Sequence, residues 1–111
     1  MAKIEEMNKE QVEKMLRTRA DVAILMDELD KKYPDMFCGV ALNEDMVLHI
    51  YKPQTLRKMA EILGKPVKIE KYTEEQIKDF TYHGQVSFMF EYAEKKWKVF
   101  SLYADESEVV G

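Results

Sequence analysis

Residues 83–103 read HGQVSFMFEYAEKKWKVFSLY. Val86, Phe88, Phe90 and Tyr92 alternate with Ser87, Met89 and Glu91, and a second run rich in apolar residues follows from Trp97 to Tyr103. A period of two sends successive side chains to opposite faces of a strand, and aromatic and β-branched residues suit a pleated surface. With Glu94, Lys95 and Lys96 as the connecting turn, this segment predicts an antiparallel β-hairpin.

Upstream of the hairpin, Val67 and Ile69 alternate with Lys68 and Glu70, which predicts a further strand. Thr73 with Gln76 three residues later has the form of a capping box opening a short helix over Glu74 to Phe80. Pro53 suits the first position of a helix whose Leu56, Met59, Ala60 and Leu63 share one face, and Gly64 followed by Lys65-Pro66 ends it. Two alternating runs, Met36 to Leu42 and Met46 to Tyr51, flank Asn43-Glu44-Asp45 and predict a second antiparallel hairpin.

The first third is helical by pattern. From Val12, the positions Met15, Arg19, Val22, Met26, Leu29 and Tyr33 are separated alternately by three and four residues, and Leu16 and Ala23 widen the stripe. One helix over residues 5–33 would be about 40 Å long, so one end projects or meets a partner. The alternative is a break at Thr18, where Thr18 and Asp21 resemble a second capping box. Tyr33-Pro34 ends the helix in either case. Together these elements predict a single α+β domain over residues 1–111. Its mostly antiparallel sheet of about five strands packs against a long N-terminal helix and a second, shorter one.

The chain has 111 residues, of which 46% are hydrophobic, enough for one core; there is no repeat or Pro- or Ser-rich linker to mark a boundary. Seventeen basic residues against 21 acidic ones give a net charge of −4, which argues against generic affinity for nucleic acid or anionic membranes. The N-terminus has no uninterrupted apolar run of signal-peptide type, and no stretch is long enough to span a bilayer. A lone cysteine, Cys38, fits a reducing compartment, so the expected setting is the cytoplasm.

Chemistry-bearing residues are sparse. His49 alternates with Val47 and Tyr51 and reads as a cross-strand packing residue, whereas His83, beside Gly84, lies in a more exposed loop. Cys38 stands in an apolar run with no neighbouring base, which predicts a buried, inert thiol. The acidic pairs Glu5-Glu6, Asp27-Glu28 and Glu74-Glu75 are adjacent on helices, where their side chains diverge. The glycines stand alone at 39, 64, 84 and 111, so no phosphate-binding loop is present, and no cofactor or metal set is expected. These absences point away from an enzyme.

Two features stand out beyond the core. Lys95, Lys96 and Lys98 surround Trp97, the only tryptophan, with Tyr92 and Tyr103 on the adjoining strands. Cations beside aromatic faces can anchor a protein partner or stack on bases, and the net acidity favours the protein. The alternative is that Trp97 packs down on the sheet while the lysines guard the hairpin edge. The second feature is the heptad-like stripe of the first helix, a candidate homodimer seam; the alternative is burial against the chain's own sheet, with Ile24 and Leu25, off the stripe, reading as a helix sandwiched on more than one side.

The segments KMAEILGKPVKIEK (58–71), HGQVSFMFEY (83–92) and WKVFSLY (97–103), in that order, resemble small accessory proteins carried by bacteriophages and integrated elements. The resemblance covers residues 46–103 and brings no catalytic residues with it. It implies a non-enzymatic protein that binds and blocks host machinery, as anti-CRISPR and other anti-defence inhibitors do. A nucleic-acid-binding accessory protein using the Lys/Trp hairpin tip is the alternative.

Overall fold

A computed structural model describes residues 3–34, 36, 46–79 and 81–109. A short 3₁₀ turn, Ile4–Glu6, precedes α1 (Lys9–Lys32). Asn8 caps α1 by accepting a hydrogen bond from the Gln11 backbone N–H while the Gln11 side chain accepts from the Asn8 N–H, each at 2.9 Å. Two of the orphan donors at the helix start are satisfied in this way. Thr18 opens no second helix: its hydroxyl donates to the Lys14 carbonyl one turn back, at 2.8 Å, and α1 runs unbroken through it. Lys31 and Lys32 lie in the last turn, where they complement the helix dipole, and the chain leaves the helix at Tyr33, before Pro34.

β1 (Met46–His49) leads into α2 (Pro53–Leu63), which has Pro53 at its start and ends at Gly64 in the left-handed conformation, φ 67°. β2 (Lys68–Lys71) follows, then α3 (Glu74–Asp79). Thr73 and Gln76 form the expected capping box at the start of α3. β3 (Gly84–Tyr92) and β4 (Lys95–Tyr103) complete the sheet, and a 3₁₀ turn, Glu106–Glu108, follows.

The class is α+β with a long N-terminal helix, but the sheet differs from the expectation in two respects. Among the described residues it has four strands rather than five, in the order β1-β4-β3-β2. It is also mixed: β3 pairs antiparallel with both β2 and β4, whereas β1 runs parallel to β4, with Leu48 opposite Val99. The Met36–Leu42 run, the Asn43-Glu44-Asp45 turn and Cys38 fall outside the described residues apart from Met36 itself, which is exposed. β1 therefore finds its partner more than 40 residues downstream, a pairing that alternation within a strand does not encode. The β3–β4 turn also shifts by one or two positions from the expected one. Ala93 and Glu94 form its two central residues with φ of 54° and 62°, the signs a tight two-residue hairpin turn of matching twist requires.

One face of the sheet carries the core. Leu48, Val86, Phe88, Trp97, Val99 and Tyr103 are buried there with Leu56, Met59, Ala60 and Leu63 of α2. α2 crosses β3 and β4, and α1 packs on α2 through Val12, Leu16 and Ala20. Gly84 has no side chain because a Cβ there would run into the Tyr103 ring and the Glu70 carbonyl. The opposite face presents Val47 and Met89, with His49 stacked on Phe100 at 4.6 Å between ring centroids. β2 is exposed along its length, and its Lys68 and Lys71 blunt the sheet edge.

Candidate functional site at the hairpin tip

The sheet separates the six residues singled out at the hairpin. Trp97 is 0% exposed and Tyr103 2%, so neither offers a face to a partner. Trp97 is not an outward anchor because its position has the same parity as Val99 and Tyr103, the side of the sheet that α2 covers. Its indole N–H donates to the Tyr92 carbonyl at 3.1 Å, and its ring packs with Phe90 at 6.2 Å between centroids. Tyr103 lies at the far end of β4, opposite Gly84, about 26 Å of strand away from Lys95. Lys95 and Lys96 are exposed at the tip, and Lys98 is half-buried opposite Met89.

Tyr92 has a different task. Its hydroxyl donates to the Asp21 carboxylate at 2.8 Å, tying the hairpin tip to the middle of α1. This bond is the main cause of a phenol pKa raised above its ordinary value; desolvation and the Asp21 charge add to it, and Arg17 opposes it.

Between α1, the C-terminal end of α2 and the hairpin lies a cleft with Leu16, Leu63 and Phe90 on its floor and Arg17, Glu91 and Lys96 on its rim. A second hollow shares those three rim residues and continues over the tip past Tyr92 and Lys95. Glu13 and Arg17 pair across one turn of α1 at 3.2 Å, while Glu91 stands opposite Lys96 in the hairpin. The rim thus alternates in sign around an apolar floor, an arrangement suited to a polypeptide segment more than to a uniformly charged polymer.

Of the residues named from the sequence, Tyr92, Lys95 and Lys96 lie on these hollows; Arg17, Leu63 and Lys65, which also line the cleft, are not among those named. The signal for Arg17 was its i,i+4 relation to Glu13; nothing local to Leu63 and Lys65 points to the hairpin. His83 lies at the other end of the sheet, its backbone N–H bonded to the Tyr103 carbonyl and its carbonyl to the Tyr72 N–H. Among the described residues no three His, Cys, Asp or Glu side chains group to hold a metal ion, and no helix is long and apolar enough to cross a membrane. Comparison with protein-family models, with curated proteins and with solved structures found no match for this chain.

Proposed function

We propose that this is a small non-enzymatic protein that acts by stoichiometric binding of a protein partner, docking a partner segment in the cleft between α1 and the β3–β4 tip. The observation that carries this reading is the cleft itself: an apolar floor of Leu16, Leu63 and Phe90 under a rim of alternating charge. Leu16 and Leu63 are already buried in the core, so the part-exposed Phe90 offers the apolar contact, and the charged rim selects the partner and its register. The resemblance to phage-borne accessory proteins names no target, and a component of a bacterial defence complex, bound and inhibited, is the first partner to test. Nucleic-acid binding at the tip has less support, because Trp97 has no exposed face on which a base can stack.

A photo-crosslinking residue placed at position 96 tests this in an extract containing defence complexes, with the same residue at position 70 as control. A protein adduct formed from position 96 and not from 70 is expected. Binding to that purified protein should be one-to-one and weaken about tenfold for Lys95→Glu/Lys96→Glu. Adducts with nucleic acid, and an affinity that falls steeply with salt, would replace this reading by the nucleic-acid one.

A further inference from the structure

The stripe Met15, Arg19, Val22, Met26, Leu29 and Tyr33 does not face the core. At about 100° per residue it lies about 100° around α1 from Val12, Leu16 and Ala20, which pack on α2. All six of its residues are exposed, Met26 at 52%, and beside them Leu25 is 57% exposed. The stripe extends over about 27 Å, and a shallow groove follows its N-terminal half from Met7 to Val22. The radius of gyration is 15.4 Å, against about 13 Å for a compact chain of this length.

We propose that this face is the seam of an antiparallel homodimer in which α1 of one copy lies along α1 of another. The spacing identifies the occupant. Met15, Val22 and Leu29 take the d positions of a heptad pattern, and Arg19, Met26 and Tyr33 the a positions. Reversing one copy about a two-fold axis between Val22 and Met26 matches every a with a d: Met15 with Tyr33, Arg19 with Leu29, Val22 with Met26. Leu25 then meets its own copy beside the axis, as a self-complementary interface requires.

Charge decides the direction. In a parallel pair Arg19 would face Arg19 across the seam, like charge against like. In the antiparallel pair it lies over Leu29 of the other copy, within reach of that copy's Asp30. Arg19 and Asp30 have no ion-pair partner within their own chain among the described residues. The cleft occupies another side of α1 from the seam, and the Tyr92–Asp21 bond borders the seam on the Leu25 flank. Dimerisation and partner binding are therefore independent, and either can hold without the other.

Sedimentation velocity on the full chain tests the seam. A dimer is expected at high micromolar concentration, with Val22→Glu/Met26→Glu sedimenting as a monomer of unchanged helix content. A strictly monomeric wild type, or a double variant that dimerises as tightly as the wild type, overturns the proposal. Orientation is read from charge reversal. Arg19→Glu and Asp30→Arg each weaken association about tenfold, and the two together restore it, because each residue faces the other in trans. A combined variant no tighter than the single ones overturns the antiparallel register.

Discussion

α1 and α2 are both amphipathic, yet they use their apolar residues differently. α2 is short and has Pro53, Leu56, Met59, Ala60 and Leu63 buried, with Ile62 packed beside them. α1 is about twice as long, buries Val12, Leu16 and Ala20 among its apolar residues, and leaves a second apolar face in solvent. The difference comes from what lies opposite. α2 lies directly on the sheet with α1 beside it, so its apolar stripe is covered while Gln54 and Glu61 stay in solvent, whereas α1 is the outer layer and touches the body along one stripe. Periodicity identifies a helix and its apolar positions, but the position of the helix in the layers decides which of them form core.

The strongest test of this contrast is a pair of leucines. Leu56→Ala is expected to lower stability by about 3 kcal/mol, because its 0% exposed side chain leaves a cavity between α2 and the sheet. Leu25→Ala should change the stability of the monomer by less than about 0.5 kcal/mol. Urea denaturation at low protein concentration measures both, and equal losses would mean that the outer face of α1 is covered.

The helix starts give a smaller effect of opposite sign. Asn8→Ala removes the side-chain cap of α1 and should cost about 1 kcal/mol. Lys52, the N-cap of α2, has extended backbone, φ −116° and ψ 135°, but makes no side-chain cap bond. Lys52→Asp should therefore add about 0.5–1 kcal/mol. Thermal melts of both variants check the signs. A loss for Lys52→Asp would show that α2 is held by its packing so rigidly that its start cannot accept a cap.

The smallest effect concerns the polar tie between α1 and the hairpin. The folded-state pKa of Tyr92 is raised, first by its bond to Asp21. Its contribution is therefore complete below the unfolded phenol pKa and is lost as pH rises through the folded value. Tyr92→Phe should thus flatten the alkaline fall in stability without removing it, because Tyr72, whose pKa burial raises, titrates in the same direction. Denaturation midpoints across the alkaline range for both proteins measure this, and parallel curves would show that α1 is not tied through Tyr92.

The same contrast explains what was legible in the candidate site. The placement of Lys95, Lys96 and Tyr92 at the tip was legible because a hairpin tip is a local feature, and its lysines are solvated whatever covers the sheet. Trp97 and Tyr103 share the lysines' neighbourhood in sequence but have the parity of the covered face, and no residue near them says which face that is. The cleft floor joins Leu16, Leu63 and Phe90 from three elements, so it exists only once α1, α2 and β3 have met.

By itself the sequence determined the three helices, the capping box of Thr73 and Gln76, the stop at Gly64 and the β3–β4 hairpin, because each rests on contacts within a few residues, but not the start of α1 at the Asn8–Gln11 box. The uninterrupted passage of α1 through Thr18 took one further local choice, the bond of its hydroxyl to Lys14 in place of a cap. Only the tertiary structure decided that β1 runs parallel to β4, that Trp97 lies under α2's side of the sheet and that the heptad stripe of α1 faces outward. Alternation and heptad spacing fix which residues share a face. The choice of which face is buried is a long-range competition for the same apolar surface, won by α2 because it lies directly on the sheet while α1 packs outside it.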